Sequence, residues 1–248
     1  MSTELVVPAR FCGPPGAGNG GYVCGSVAAA LPGGAVEVTL SAPTPLERPL
    51  RLEVDADEAR LLDGDQPLAR ARRLPDGLGE PPAASYGAAE DAARALDVED
   101  YRQRHAFPGC FTCGPDRAPG DGLGLFPGAG GGPGRVTWPW TPTGGLGDAA
   151  GLVVEPVVWA ALDCPSGQAW LAQDDALAAV VLGRMAAVVH RRPTVGEPLF
   201  VQGWGEERDG RKLRAGAALR TADGELLAQS RTTWIALDAD QLAAFRSR

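Results

Sequence analysis

Short runs in which apolar and polar residues alternate predict strands along this chain, and two longer runs with apolar residues at helical spacing predict helices. In the first half, a short β-prone run at residues 5–7 is followed by a Pro/Gly loop at 12–18. Asn19-Gly20-Gly21 then opens a helix predicted over 21–31, with Val23, Val27, Ala30 and Leu31 on one stripe and Asn19 as its N-cap. The remaining positions, Gly25, Ser26, Ala28 and Ala29, are small, so this helix is expected to lie very close to a sheet. Strands are predicted at 35–40, 49–54, 59–62 and 68–74, with Asp63-Gly64-Asp65 as the hairpin turn between the last two.

The second half repeats this order. A strand at 135–140 and a Gly/Pro loop at 141–151 precede a helical stripe of Val154, Val157, Val158, Ala161 and Leu162, which should end near Pro165. Strands follow at 182–189, 198–203, 213–220 and 226–237, and Ala222-Asp223-Gly224 takes the hairpin position matching Asp63-Gly64. Pro43-Thr44-Pro45-Leu46-Glu47-Arg48-Pro49-Leu50 resembles Pro193-Thr194-Val195-Gly196-Glu197-Pro198-Leu199 with one residue inserted, and Leu68-Ala69 matches Leu227-Ala228. Self-similarity of this kind marks a duplicated unit, the alternative being two halves that share turn chemistry by chance. The fold class expected is α+β, with modules at 1–78 and 134–248 and a connecting segment at 79–133. That segment holds a helix-prone stretch, 83–96, and is too rich in specific residues to be a passive spacer, so it should pack across the modules.

Composition narrows the partners. The chain has 248 residues, 44% hydrophobic and 22% charged, with a net charge of −8. The acidic balance argues against nucleic-acid binding, which needs a basic face, and requires that an anionic ligand be met by a local group of arginines. The N-terminal stretch lacks a basic region followed by an apolar core, so no signal peptide is expected. No apolar run approaches the roughly 18 residues of a membrane span, so no membrane partner is expected either. Five unevenly spaced cysteines suit reduced thiols in the cytoplasm, and 34 Gly and 22 Pro, with many Ala and Arg, suit a bacterial genome rich in G and C.

Strand, long loop, one helix and four antiparallel strands is the order of a hot-dog module. Gly18-Asn19-Gly20-Gly21-Tyr22-Val23-Cys24-Gly25 looks like the His-Gly-Gly-Tyr-type start of the hot-dog helix in acyl-CoA thioesterases. Trp159-Ala160-Ala161-Leu162-Asp163 resembles the helix that carries a catalytic Asp in double hot-dog thioesterases of the thioesterase II type. Val188-Val189-His190-Arg191 resembles a Trp-Phe-His-Arg strand ending in that family. The resemblance implies two fused modules, each an antiparallel sheet wrapped around its helix, and hydrolysis of an acyl thioester. It departs from the family at Asn19, where many relatives have His, and at the Thr and Gln partners of the Asp, whose places would fall to Leu182 and Thr232.

The residues themselves leave alternatives open. Asp163 reads as a general base for water or as an Asx-type cap of the turn Cys164-Pro165-Ser166-Gly167. Asn19, Gly20 and Gly21 offer backbone N–H groups for a developing oxyanion, with Tyr22 beside them, or a simple N-cap. His190 and Arg191, with Arg184 and Arg192, form either a site for carrier phosphates or a solvated strand end. A Cys/His nucleophile at Cys164 or Cys24 lacks an evident His. His105, Cys110 and Cys113 read as H-x4-C-x2-C, but no second ligand pair has the right spacing, so packed thiols, no metal and no cofactor are expected.

The function expected is thus water-driven hydrolysis of an acyl-CoA or related thioester by a monomer or homodimer. Asp163, Asn19 and Thr232 form the catalytic set, and Gly20, Gly21, Tyr22, His190 and Arg191 bind the substrate. A non-catalytic acyl-CoA-binding protein is one alternative. A dehydratase or hydratase is the other; it would need a His base at a helix start.

Overall fold

The computed structural model describes residues 2–247. Its strands form one eleven-stranded antiparallel sheet. The first half supplies β1 (Ser2–Leu5), α1 (Gly20–Ala28), β2 (Ala35–Leu40), β3 (Leu50–Val54), β4 (Glu58–Asp63) and β5 (Gln66–Leu74). The connecting segment carries α2 (Tyr86–Ala95), α3 (Val98–Arg104) and β6 (Gly128–Ala129). The second half supplies β7 (Arg135–Trp140), α4 (Glu155–Leu171), β8 (Val180–Val189), β9 (Leu199–Asp209), β10 (Lys212–Thr221) and β11 (Leu226–Ala236), and α5 (Ala239–Arg246) follows. The strand order is β1-β3-β4-β5-β2-β8-β11-β10-β9-β7-β6.

The halves meet where β2 pairs with β8, Val36 opposite Ala187 and Val38 opposite Met185, all four buried. Alternation set these strands: in β3, Leu50 and Leu52 are buried while Arg51 between them is exposed. The β4–β5 turn falls at Gly64-Asp65, where Gly64 has φ +59°, a left-handed conformation that costs glycine nothing.

Both central helices lie on the sheet and against each other, α1 over β2, β4, β5 and β8, and α4 over β7 to β11. Trp159, Leu162, Val158, Leu199, Leu213 and Met185 are at most 2% exposed in this core. Each large apolar side chain so buried contributes on the order of 1.5–3 kcal/mol. The small face of α1 meets another helix more closely than it meets the sheet. A methyl group on Gly21 would come within 2.5 Å of Asp163 Cβ, and one on Gly25 within 2.7 Å of Pro156 Cα. Four residues apart, the two glycines sit on one face of α1 and let its backbone touch α4.

Helix α4 differs from the expected element. It runs on through Pro165 to Leu171, so Asp163 lies mid-helix and caps no turn. Proline lacks an N–H, but burial of Ser166, Gly167 and Ala169 against β9 and β11 outweighs that local cost. Ser166 Oγ donates to the Asp163 carbonyl at 2.7 Å. In the connecting segment, α2 covers β7 and β9, and β6 pairs with β7 at the sheet edge. Among the described residues no helix is long and apolar enough to cross a membrane.

Candidate active site between the two helices

Asn19 precedes α1 in a non-helical conformation, and its Oδ1 accepts the Tyr22 N–H at 2.9 Å, the N-cap expected from the sequence. Its amide nitrogen turns the other way and donates to Asp163 Oδ2 at 3.0 Å. The Gly21 N–H donates to the same oxygen at 2.9 Å. One carboxylate oxygen on α4 is therefore held by two donors from the start of α1, 142 and 144 positions away in sequence. Asp163 is 2% exposed, and its other oxygen, Oδ1, is buried with no hydrogen-bond partner among the described residues. Burial raises its pKa to about 7, outweighing the two hydrogen bonds that favour the charged form.

Asn19, Gly20, Asp163 and Leu182 line a cavity of about 1120 Å³ whose wall includes the apolar side chains of Val23, Leu40, Leu171, Leu177, Phe107 and Phe245. The Gly20 N–H, the first amide of α1, has no hydrogen-bond partner among the described residues. A buried carboxyl with one unpartnered oxygen, beside an unpaired helix-start amide, can take a proton from water and stabilise negative charge on a nearby oxygen.

Other residues singled out in the sequence lie elsewhere. Gly21 is not free to meet a substrate, because its N–H is engaged by Asp163. The Tyr22 ring stacks on Phe11 at 3.8 Å and is not part of the cavity wall. Thr232 is buried on β11 behind α4, its Oγ1 2.9 Å from Ser166 Oγ and 3.1 Å from Trp234 Nε1, so it does not reach Asp163 or the cavity. His190 and Arg191 end β8 on the exposed surface, outside the cavity. Arg191 pairs with Glu197 and Glu225, Arg192 pairs with Asp148, and Arg184 bonds to Thr39. These three arginines thus serve loop and strand contacts. Among the described residues, the arginines that border the cavity are Arg104, Arg211 and Arg246.

Local spacing gave no warning of two features. Thr112, in the connecting segment, accepts from Asn19 Nδ2 at 3.3 Å and donates to the Ala160 carbonyl at 3.0 Å, tying that segment to both helices. Cys164 brings its thiol beside Cys110 and Cys113, and all three line the cavity. Hydrogen bonds from the other two thiols hold the Cys110 pKa well below the ordinary thiol value, while those of Cys113 and Cys164 are pushed up. Burial lowers the His105 pKa, and its Nε2 lies 3.2 Å from Cys113 Sγ. Neither histidine stands at the start of α1 or α4. Cys24 is fully buried, and burial pushes its thiol pKa well up.

No protein-family model matches the sequence, and the curated proteins give no match. Solved structures do. The TesB protein of Mycobacterium avium subspecies paratuberculosis superposes with a TM-score of 0.57 at 14% identity, over 96% of this chain and 93% of that one. A protein described as an oleoyl thioesterase, from Lactobacillus plantarum, gives a TM-score of 0.55 at 9% identity, over 96% of each chain. At such identities the likeness is one of architecture, and over nearly its whole length this chain shares the fold of these two proteins.

Proposed function

We propose that the protein hydrolyses an acyl thioester at Asp163, in a composite site between two fused hot-dog modules, residues 1–78 and 134–248, joined by the segment 79–133. One observation carries this reading. A buried carboxylate from the second half is clamped by Asn19 and Gly21 of the first, its other oxygen has no hydrogen-bond partner among the described residues, and the residue lines an apolar cavity.

In this mechanism the acyl chain occupies the cavity and its thioester carbonyl faces the start of α1. Water attacks the carbonyl carbon while Asp163 Oδ1 takes its proton, and the oxyanion that forms is met by the Gly20 N–H. Collapse of the tetrahedral intermediate breaks the carbon–sulfur bond. The departing thiolate recovers the proton from Asp163, so carboxylic acid and thiol leave and the enzyme is unchanged. Asn19 keeps Asp163 aimed. Arg104, Arg211 and Arg246 would meet the phosphates of a CoA-type carrier at the rim.

A panel of acyl-CoAs of graded chain length, assayed for release of free thiol, tests the reaction. Thiol release is expected for at least one chain length, with a fall of about 10²–10⁴-fold in kcat for a folded Asp163→Asn variant. Undiminished turnover in that variant, or no release from any substrate of the panel, would remove the proposal.

A further inference from the structure

Cys110 and Cys113 belong to the connecting segment and Cys164 to α4, yet their three sulfurs lie within 4.8 Å of one another. The Cys110 and Cys164 sulfurs are 3.7 Å apart. Two zinc–sulfur bonds of about 2.3 Å at the tetrahedral angle set their sulfurs about 3.8 Å apart, so the spacing is that of two ligands on one ion. All three residues are buried, at 5%, 4% and 8% exposure, and none is in a disulfide.

The surroundings are those of thiolates more than of packed thiols. The Asn19 amide nitrogen donates to the Cys110 sulfur at 3.7 Å. His105 Nδ1 accepts the Phe107 N–H at 3.1 Å, so the ring proton of the neutral imidazole sits on Nε2 and points to Cys113 Sγ, 3.2 Å away. The chain turns sharply after the pair. The Gly114 N–H bonds to the Cys110 carbonyl at 2.9 Å, and a methyl group on Gly114 would lie 2.4–2.5 Å from Pro108 O and from Cys110 N and O. Only glycine fits there. Cys-Phe-Thr-Cys-Gly is thus a tight knuckle that aims two sulfurs at one point, and α4 brings a third.

We infer that Cys110, Cys113 and Cys164 bind one thiophilic divalent ion of the zinc class, with His105 supporting Cys113 by a hydrogen bond. This reverses the expectation of packed thiols, which rested on the lack of a second ligand pair in the sequence. Three thiolates with N–H donors suit zinc, and they leave the fourth tetrahedral position for a ligand that is not a cysteine. Binding replaces the thiol protons, which pass to the buffer. The ion clips the connecting segment to α4 one residue from Asp163, which makes the segment part of the site's frame.

Metal analysis of the full chain, purified with a reductant and without chelator, is expected to give about one zinc per chain. Replacing the ion with Co²⁺ should give the near-ultraviolet thiolate charge-transfer and strong visible bands of a tetrahedral sulfur site. Cys110→Ser and Cys164→Ser should lose the ion, Cys12→Ser should keep it, and His105→Ala should bind it about tenfold more weakly. No retained metal together with no cobalt–thiolate spectrum in the reduced wild-type protein would overturn the inference. So would an unchanged zinc content in the Cys110→Ser, Cys164→Ser double variant. If the serine variants do not fold, the wild-type cobalt spectrum decides alone. Loss of the ion in His105→Ala as complete as in Cys164→Ser would overturn the supporting role given to His105.

Discussion

Gly21 gives its N–H to Asp163 Oδ2 at 2.9 Å, and it can do so because it has no side chain: the place of its β-carbon lies 2.5 Å from Asp163 Cβ and 2.7 Å from the Trp159 carbonyl. The same missing atom lets the helices touch and leaves the amide open to the carboxylate. Packing and candidate chemistry therefore depend on one glycine.

Gly21→Ala is expected to push α1 from α4 and to cost about 1–3 kcal/mol of stability, as insertion of a methyl group into a tight contact does. Urea denaturation reads the loss, and hydrolysis should fall with it as Asp163 loses its amide donor. A variant of parental stability and activity would show that the helices can part without consequence.

Asn19→Ala removes the cap of the Tyr22 amide and one of the two donors to Asp163. The cap alone is worth about 1 kcal/mol. The expected outcome is a modest drop in melting temperature with a larger drop in kcat than the Gly25→Ala variant shows at matched stability, because Gly25 packs on Pro156 and Trp159 and touches no part of the carboxylate.

Arg191→Ala should leave KM for any acyl-CoA unchanged, since Arg191 is held by Glu197 and Glu225 outside the cavity. Arg104→Ala or Arg246→Ala should raise KM instead, if those side chains meet the carrier phosphates. Steady-state kinetics on the substrate found in the panel separates the two groups.

Acid should loosen the loops around β8. The Arg191 guanidinium lowers the pKa of Glu197 and of Glu225, and Arg192 with two backbone amides lowers that of Asp148. A carboxyl whose folded pKa lies below its unfolded value adds stability that is present above the unfolded pKa, about 4, and is lost as pH falls through the folded one. Melting temperature is expected to decline as pH drops below about 4.5, with a shallower decline in Glu197→Gln. An identical slope in that variant would remove Glu197 from the account.

Some of this was readable along the chain. The strands at 35–40 and 135–140 follow from alternation alone, and β2 and β7 have those bounds. Asn19 as a cap followed from its place before a glycine-led apolar stripe. Asp163 was visible as an acid on the helix of the second half, and the small positions of α1 as a face made for close approach. The partner in that approach was not visible. Helix α4 was cut short because proline stops helices in isolation, while here Ser166, Gly167 and Ala169 are buried by strands far away in sequence. His190 and Arg191 read as a basic site because neighbouring cations suggest a ligand, whereas Glu197 and Glu225 arrive from other turns to pair with Arg191.

What the sequence by itself determined is local: periods of 2 and 3.6, caps and turns, and which residue types are on hand, since these depend on backbone geometry within a few residues. The tertiary structure decided which of those residues meet. Cys164 stands 54 positions from Cys110, and Asp163 stands 142 from Gly21, so no spacing rule could join them. They were brought together when α1 and α4 packed on one sheet and the connecting segment lay against both, because burial of apolar faces over the whole chain, not any local motif, selects that arrangement.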